Sequence, residues 1–475
     1  MSRAALWLRV VLLVAVICGA GRAQADSATG VRMPAFARVR LANGADLLLV
    51  ERHETPLIAM AVTVRGGALG DPAGKDGTAA LFAELAQKGA GDRSAEQFAE
   101  AVETAGGELG ASAGTESIGI SARFMARDAA LMIGLVADAL ERPHLEAKEF
   151  AKIRTLAVES LAAAKDSDPR GLIGTYGEAW LFHGHPYGRP VEGSERTLAA
   201  VTLDDVKRYY AEQVGGDRLI IAVVGDFRTP EMRSKLEHAF GGWRRAAAAR
   251  PVAPAPVRVQ GRHVLLVDKP GATQTYFWLG NVGASRADPA RTAQSVVNTL
   301  FGGRFSSLLN TELRVKGGLT YGADSGFERH TQPGAFRISS YTRTETTMQA
   351  IELALASLDR ARKDGFDAAA IASAQSYLLG QFPTSLETNG QLAARLIDMA
   401  FYGLGAEDVD QFATRVRAVD EAAARKVLDT SFPDSRDLAV VLIGDAAKIR
   451  GLLGKLGPVT EMKITDPQFA PEAVK

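Results

Sequence analysis

Two polar side chains in the second half of the sequence, Arg314 and Tyr321, are of types that can hold a carbonyl oxygen. They lie in the run Phe301 to Phe327, where leucines at helical spacing are followed by two glycines and then by alternating residues. A guanidinium and a phenol both donate hydrogen bonds and can stabilise negative charge that develops on such an oxygen. The structural alternative is that Arg314 complements a helix C-terminus and that Tyr321 packs in a strand.

The run that carries these two residues predicts a helix, a turn and a strand. We expect Ser306 to cap a helix that contains three leucines and ends at a pair of glycines. A strand is expected over residues 319–325, with Tyr321 on the same face as Leu319. Arg314, in the last helical turn, and Tyr321, just beyond the turn, should therefore point into the same space.

The same run resembles a signature of the pitrilysin/insulinase-like zinc peptidases, found in their C-terminal halves. Their pattern Leu-Arg-x-Lys-x-Gly-Leu-x-Tyr is matched here by Leu313, Arg314, Lys316, Gly318, Leu319 and Tyr321. One departure is Gly317, which stands where the family usually has an arginine. The resemblance implies that Arg314 and Tyr321 contact a bound peptide, and such a substrate is expected to add to a sheet edge. The segment His185 to Val191, with the stretches that lead from it to Asp226, also matches this family.

The zinc motif of the family is degenerate in this sequence. Members that cleave peptides carry His-x-x-Glu-His on a helix, where two imidazoles bind zinc and the glutamate activates water. The resemblance aligns that motif with residues 77–89 and places Ala80 and Glu84 at the two histidine positions and Ala83 at the catalytic glutamate. Glu159 matches the third ligand. Carboxylates without imidazole make a very poor zinc site, so we expect this chain to bind no metal.

No other cluster in the sequence replaces the missing site. His183 and His185 are the one close histidine pair, but they lie two residues apart before Pro186 on an expected loop. We interpret them as turn and capping groups, because a zinc site normally needs a third ligand. The other five histidines are isolated. The sequence shows no recognisable pattern of a serine or cysteine catalytic nucleophile.

Residues 1–25 predict a secretory signal peptide. Arg3 and Arg9 precede an apolar run from Val10 to Ala20, and Ala23-Gln24-Ala25 fits a small-x-small cleavage site. The apolar run is roughly half as long as a membrane span requires. Cleavage would remove the one cysteine, Cys18, and with it any disulfide or thiolate ligand. We therefore expect a periplasmic protein that has no membrane span after cleavage.

The charge balance argues against nucleic-acid binding. The full chain has 55 basic and 55 acidic residues. Removing the three arginines of the predicted signal peptide leaves 52 basic residues against 55 acidic ones, a formal net charge of minus 3. Nucleic-acid-binding proteins carry a basic surplus instead.

An internal repeat indicates two homologous halves. The apolar run Asp217 to Asp226 recurs as Asp437 to Asp445, and each copy is flanked by helical segments. A repeat period of roughly 220 residues indicates duplicated domains rather than a solenoid. We expect one domain over 26–245, a Pro/Ala-rich linker over 246–260 and a second domain over 261–475.

Local patterns in each half mix strands and helices without a regular βα alternation. Ser94 and Gln97 form a capping box that opens a helix, and Asn43-Gly44 marks a hairpin turn. The expected strands of the first half are 37–50, 57–65, 108–112 and 117–124. The expected helices are 126–141, 147–164, 203–213 and 230–240. This mixture predicts an α+β protein of two tandem domains, each an antiparallel-rich sheet covered by helices, as the resemblance also implies.

The predicted function is that of a non-zinc-binding subunit in an exported, heterodimeric pitrilysin-like metallopeptidase. The resemblance extends to divided enzymes such as the mitochondrial processing peptidase, in which one chain bears the zinc motif and the other lacks it. In this hypothesis a zinc-bearing partner supplies the metal, while Arg314 and Tyr321 reach the substrate across a shared chamber. The competing hypothesis is a catalytically inert binding or scaffold protein of the same fold. Retention of both donors argues against a pure scaffold.

Overall fold

Twelve strands form two six-stranded sheets in the computed structural model, which describes residues 31–471. The predicted signal peptide lies outside the described residues. The first sheet contains β1 (Ala37–Arg40), β2 (Asp46–Glu51), β3 (Leu57–Arg65), β4 (Glu108–Ala113), β5 (Ser117–Met125) and β6 (Leu219–Gly225). The second contains β7 (His263–Asp268), β8 (Gln274–Val282), β9 (Ala323–Arg329), β10 (Pro333–Arg343), β11 (Ala439–Gly444) and β12 (Val459–Lys463).

Helices cover both sheets. Those that precede the second sheet are α1 (Thr78–Leu85), α2 (Ala95–Thr104), α3 (Ala129–Glu141), α4 (Ala147–Ser167), α5 (Pro169–Leu181), α6 (Glu195–Ala200), α7 (Leu203–Gln213) and α8 (Thr229–Phe240). The later ones are α9 (Arg291–Phe301), α10 (Leu308–Asn310), α11 (Thr347–Asp364), α12 (Ala368–Gln381), α13 (Asn389–Tyr402), α14 (Glu407–Asp410), α15 (Phe412–Arg417), α16 (Glu421–Thr430) and α17 (Ala446–Ile449). A π-helical segment, Thr311–Lys316, continues α10.

The two sheets share one topology. Five strands of each follow the same spatial order, β2-β6-β3-β5-β4 in the first sheet and β7-β11-β8-β10-β9 in the second. The sixth strand comes from the beginning of the described chain in one sheet and from its end in the other. Most neighbours pair antiparallel, whereas β2/β6, β7/β11 and β7/β12 pair parallel. The predicted fold class, two homologous α+β units with antiparallel-rich sheets, is therefore confirmed.

Each sheet is buried on both faces. In β2, Leu47 and Leu49 join the cluster formed with the helices of the first half, while Leu48 and Val50 point to the opposite face. This alternation follows from the period of two along a strand. Strands that are buried on both sides read as continuous apolar runs, which explains the run in β6 that revealed the repeat.

The outer face of each sheet is covered by a helix from the other half of the chain. Helix α5 packs against β8 and β11 of the second sheet, and α13 packs against β3 and β6 of the first. Gly177 in α5 lies against the ring of Trp278, so close that a Cβ there would be 2.5 Å from a ring atom. The two halves thus exchange one helix each, an arrangement the sequence patterns did not predict.

The segment between the sheets is held along its length. Ala246 and Ala248 donate backbone hydrogen bonds to Asp217 and Glu212 of the first half. Further along, Val259 donates to Asn281 in β8. The Pro/Ala-rich stretch therefore follows the protein surface as an extended strap.

Candidate functional site

Arg314 and Tyr321 line one cavity of about 440 Å³, next to the edge strand β9. Its wall is built from the ends of β8, β9 and β10, from the loop before α10 and from the first turn of α5. The main polar and aromatic residues around it are Arg170, Tyr276, Arg304, Phe305, Arg314, Tyr321, Asp324, Tyr341 and Tyr377. The two candidate residues therefore do face the same space.

Arg314 lies on the π-helical segment, which begins after a cap one residue later than predicted. Ser307, not Ser306, is the N-cap, and its side chain accepts a hydrogen bond from the backbone of Asn310. The chain turns at residues 304–307 through a bond from Ser307 N to Arg304 O, and this turn leaves Ser306 exposed outside the helix. The prediction of Ser306 as the cap was wrong, because adjacent serines cannot be distinguished by spacing alone.

Tyr321 lies in a loop, which corrects the predicted strand over 319–325. The observed strand begins at Ala323. Before it, the Thr320 hydroxyl donates to Gly322 O and accepts from Gly322 N, and the Ser340 hydroxyl also donates to Gly322 O. Side-chain hydroxyls thus take the places of strand–strand backbone bonds, because they satisfy the same polar groups locally.

The loop also reverses the predicted orientation of Tyr321. Leu319 is buried, whereas the side chain of Tyr321 is 78% exposed, so the two do not share a face. Without the strand, the alternation on which that prediction rested does not apply. The consequence is a phenol that projects into the cavity mouth.

The donors of Arg314 and Tyr321 are free within the described residues. The guanidinium carbon of Arg314 lies 4.6 Å from the ring centroid of Phe305, a cation–π contact that supports it from one side. Neither side chain has a hydrogen bond or an ion pair to another residue of the range 31–471. On the same π-helical segment, Glu312 instead pairs with Lys316 and Arg360. Two adjacent unsatisfied donors at a cavity suit an oxygen-bearing ligand.

The helix that corresponds to the zinc motif is formed and anchored. The Asp71 carboxylate accepts hydrogen bonds from the backbone of Gly77, at 2.9 Å, and of Ala79, at 2.8 Å, at the start of α1. Burial raises the pKa of Asp71 to about 7, although these two bonds oppose the rise. The segment aligned with the zinc motif is thus a regular helix that Asp71 holds at its start.

The side chains on α1 do not fit a zinc ion. Ala80 is 8% exposed and Ala83 is 1% exposed, so two methyl groups stand where a ligand and the catalytic glutamate would be. Glu84 is exposed and lies near Glu192, whose pKa is raised by burial first and by the Glu84 charge second. Glu159 is exposed on α4, which packs against α1. Among residues 31–471, no three histidine, cysteine, aspartate or glutamate side chains are grouped so as to hold a metal.

Both histidines of the pair 183 and 185 hydrogen-bond to backbone groups of the protein. His185 Nδ1 accepts a bond from the backbone of Tyr187 at 3.1 Å, and its Nε2 bonds to Pro254 O at 3.0 Å. His183 Nε2 bonds to Pro471 O at 3.1 Å. The interpretation as a capping group is confirmed for His185, which caps the turn at Pro186, but it is wrong for His183, which bonds to a residue near the end of the described chain.

Sequence reasoning missed the arginines and aromatic rings that accompany Arg314. Arg170 reaches the cavity from α5, and its guanidinium carbon lies 4.9 Å from the ring centroid of Tyr341. Tyr341 and Tyr276 stack on neighbouring strands with centroids 5.7 Å apart. Arg170 comes from the other half of the chain, so no local pattern could have joined it to this site.

Comparison with known families gives two matches along the chain. The family described as "Insulinase (Peptidase family M16)" matches residues 47–195. The family described as "Peptidase M16 inactive domain" matches residues 200–378. No helix among residues 31–471 has the length and apolarity needed to cross a bilayer.

Individual relatives agree with these matches. An uncharacterised zinc protease of Mycobacterium leprae is 30% identical over 67% of this chain and 72% of its own length. An uncharacterised zinc protease of Bacillus subtilis is 22% identical over 74% of this chain and 85% of its own.

Solved structures share the fold. A peptidase M16 inactive domain from Pseudomonas fluorescens superposes with a TM-score of 0.81 at 22% identity, covering 86% of this chain and 98% of that one. A protease from Helicobacter pylori superposes with a TM-score of 0.79 at 20% identity, covering 86% and 99%. Identities this low show that the fold is shared. The activity of this chain must be inferred from the residues of the site.

Proposed function

Because this chain belongs to the insulinase family of peptidases, peptidase family M16, we propose that it is the zinc-less subunit of a heterodimeric peptidase. A zinc-bearing pitrilysin-like chain would be the partner, and peptides would be the substrate. The observation that carries the proposal is the contrast between two sites. Arg314 and Tyr321 keep free donors at one cavity, whereas α1 carries methyl groups in place of a zinc ligand and a general base.

The role of this chain in such a pair is to hold the substrate. The Arg314 guanidinium and the Tyr321 hydroxyl would donate hydrogen bonds to a carbonyl oxygen and strengthen them as that oxygen becomes negative. The partner would supply the attacking water and its activation. A cationic donor in a partly dry cavity is worth more than the same donor in bulk water, because less solvent competes with it.

The position of the cavity suits an extended peptide. Strand β9 lies at the edge of the second sheet and pairs with β10 on one side. Its residues Ala323 and Asp324 line the cavity. A peptide that adds to this edge through backbone hydrogen bonds would run past Tyr321.

The rim of the cavity has the character of a covered surface. Phe305 is 67% exposed and Tyr321 is 78% exposed, and both line the cavity. Large apolar and aromatic side chains gathered around a polar cavity are typical of contact surfaces rather than of free ones. The partner subunit would cover this rim when the shared chamber closes.

The proposed location is the periplasm, on the basis of the amino-terminal sequence alone. Residues 1–25 have the charge pattern and apolar length of a cleaved signal. Fusion of these residues to a reporter enzyme that is active only after export would test this part.

Reconstitution tests the proposed function. The mature chain would be mixed with a zinc-bearing family member from the same genome, and peptide cleavage would be measured for each chain and for the pair. Cleavage that requires both chains supports the proposal. A partner that cleaves equally well alone would favour the scaffold hypothesis, and turnover by this chain alone would overturn both.

A further inference from the structure

We propose that the cavity beside Arg314 and Tyr321 is a subsite for an acidic side chain of the bound peptide. The inference deepens the proposed function, on which its peptide ligand rests, by naming a substrate class. It is carried by Arg170, Arg304 and Arg314, which converge on one cavity without a carboxylate partner among the described residues.

Each of these arginines retains donor capacity. Arg170 and Arg314 make cation–π contacts with Tyr341 and Phe305 but no hydrogen bond within the described range. Arg304 donates from Nη1 to Ser373 Oγ at 3.0 Å, while its Nε is buried without a partner. Guanidinium groups of this kind bind carboxylates in charge-assisted and often bidentate geometry.

The cavity has a surplus of positive charge. Asp324 is the one carboxylate among the described lining residues, and its Oδ2 bonds to Arg337 Nη1 at 2.5 Å. A second carboxylate nearby, Asp168, accepts a bond from Gly171 N at the start of α5. Asp324 is therefore paired with Arg337, and Asp168 caps the start of α5. Neither carboxylate forms an ion pair with Arg170, Arg304 or Arg314, so these arginines can bind a carboxylate of a ligand.

The walls of the cavity favour an acidic side chain whose carboxylate is attached through methylene groups. Tyr276 and Tyr341 stack along one side, and the half-exposed ring of Tyr377 lines the mouth. Aromatic walls contact the methylene groups of such a side chain and exclude water from the arginine–carboxylate contact. A volume of about 440 Å³ also leaves room for neighbouring peptide backbone.

The corresponding cavity of the first half shows the opposite charge pattern. This cavity, about 710 Å³, lies at the start of α13 against β3, β4 and β5. Its arginines already have acidic partners: Arg52 lies 3.5 Å from Glu54, and Arg123 pairs with Glu108. The two cavities occupy similar places in their halves, so the unpaired arginines are a specific feature of the second. The first provides a matched control.

A binding experiment with the mature chain alone tests the inference. Three fluorescent peptides would be identical except for a central Glu, Gln or Lys. We expect the Glu peptide to bind about tenfold more tightly than the Gln peptide, and the Lys peptide to bind most weakly. In the variant Arg170→Gln/Arg304→Gln the Glu preference should fall to about twofold or less, and in Arg170→Gln alone it should fall partway.

Several outcomes would overturn the inference. Equal affinity for Glu and Gln peptides, absence of binding, or a preference that survives in both arginine variants would each do so. The control Arg52→Gln/Arg123→Gln should keep the wild-type preference, and melting curves show whether each variant folds. Turnover with the partner separates the two proposals. Arg314-dependent cleavage without acidic preference overturns this inference alone, whereas acidic preference without an effect of Arg314 on turnover overturns only the proposed function.

Discussion

The carboxyl groups of Glu178 in α5 and Glu328 in β9 lie beside each other where the two halves of the chain meet. Two ionised carboxylates side by side repel each other, so such a neighbour favours the protonated form of a buried carboxyl group. Burial first, and then the neighbouring Glu328 carboxyl, raise the pKa of Glu178 to about 9. Arg337 Nε lies 3.4 Å from Glu328 Oε1 and balances the remaining charge.

This pair predicts a loss of stability at alkaline pH. The folded state binds a proton on Glu178 between the ordinary pKa of 4.5 and the raised value, whereas the unfolded state does not. The stabilisation that Glu178 contributes is therefore complete below its ordinary pKa. It is lost as pH rises from that value through the raised pKa of the folded state. Glu178→Gln keeps a hydrogen-bond donor and does not titrate, so its Tm should exceed that of the wild type near pH 8 and match it near pH 4.5. Melting curves in a single ionic strength measure the difference, with the exposed Glu159→Gln as control. A Tm difference that does not vary with pH would refute the raised pKa of Glu178.

Arg314 and Tyr321 should affect turnover rather than assembly. In the reconstituted pair, Arg314→Ala and Tyr321→Phe each remove a donor worth about 2 to 4 kcal/mol at a developing oxyanion. That loss corresponds to roughly 30-fold to 1000-fold in rate. Steady-state cleavage would be compared with that of Lys316→Ala, which lies on the same helical segment and pairs with Glu312. Variants that assemble and cleave at the wild-type rate would leave the scaffold hypothesis standing.

Restoring the zinc motif should create a metal site only if Glu159 completes it. The triple variant Ala80→His, Ala83→Glu and Glu84→His places large side chains at two buried positions, so we expect a stability loss of about 1 to 3 kcal/mol without metal. Zinc should then raise its Tm, because binding to the folded state stabilises it. Metal content and melting curves would be measured with and without Glu159→Gln. A folded triple variant that takes up no zinc would show that Glu159 is misassigned.

The contact between α5 and the second sheet should tolerate no added methyl group. Gly177→Ala would bring a Cβ within 2.5 Å of the Trp278 ring, and overpacking of this kind costs about 1 to 3 kcal/mol. The matched control is Gly174→Ala on the same helix, where nothing lies within 4 Å of an added Cβ. That control should stabilise by about 0.5 to 1 kcal/mol through helix propensity. Urea unfolding of both variants gives the comparison, and equal stability of the two would contradict the close packing.

Local elements could be predicted from the sequence because short-range physics determines them. The Ser94/Gln97 capping box is present in the structure, and helix α7 has the expected bounds, Leu203–Gln213. Strand β3 likewise spans the predicted residues, Leu57–Arg65. Caps, hydrophobic periodicity and turn residues act within a few positions, so one segment contains the whole signal.

The predictions that were wrong, and the features that were not predicted, depend on residues distant in the sequence. The loop at Tyr321 is held by the hydroxyls of Ser340 and Thr342 on β10, whose influence no window around Tyr321 contains. Arg170 enters the cavity because α5 crosses to the other half. The proximity of Glu192 to Glu84 was not predicted either, because Glu192 comes from a separate loop. The predicted domain boundaries and the heterodimer stay predictions.

The exchanged helices constrain how a newly synthesised chain can mature. The outer face of the first sheet, with Ile220 and Val224, is sealed by Leu392 and Leu396 of α13. A ribosome reaches α13 long after β6 is complete, so the emerging first half carries an uncovered apolar sheet until most of the chain exists. The first half can therefore finish folding only late in translation, after α13 has been made. Under the proposed export, this delay would keep the nascent chain unfolded for longer, and the uncovered apolar sheet would be a surface that holdase chaperones recognise.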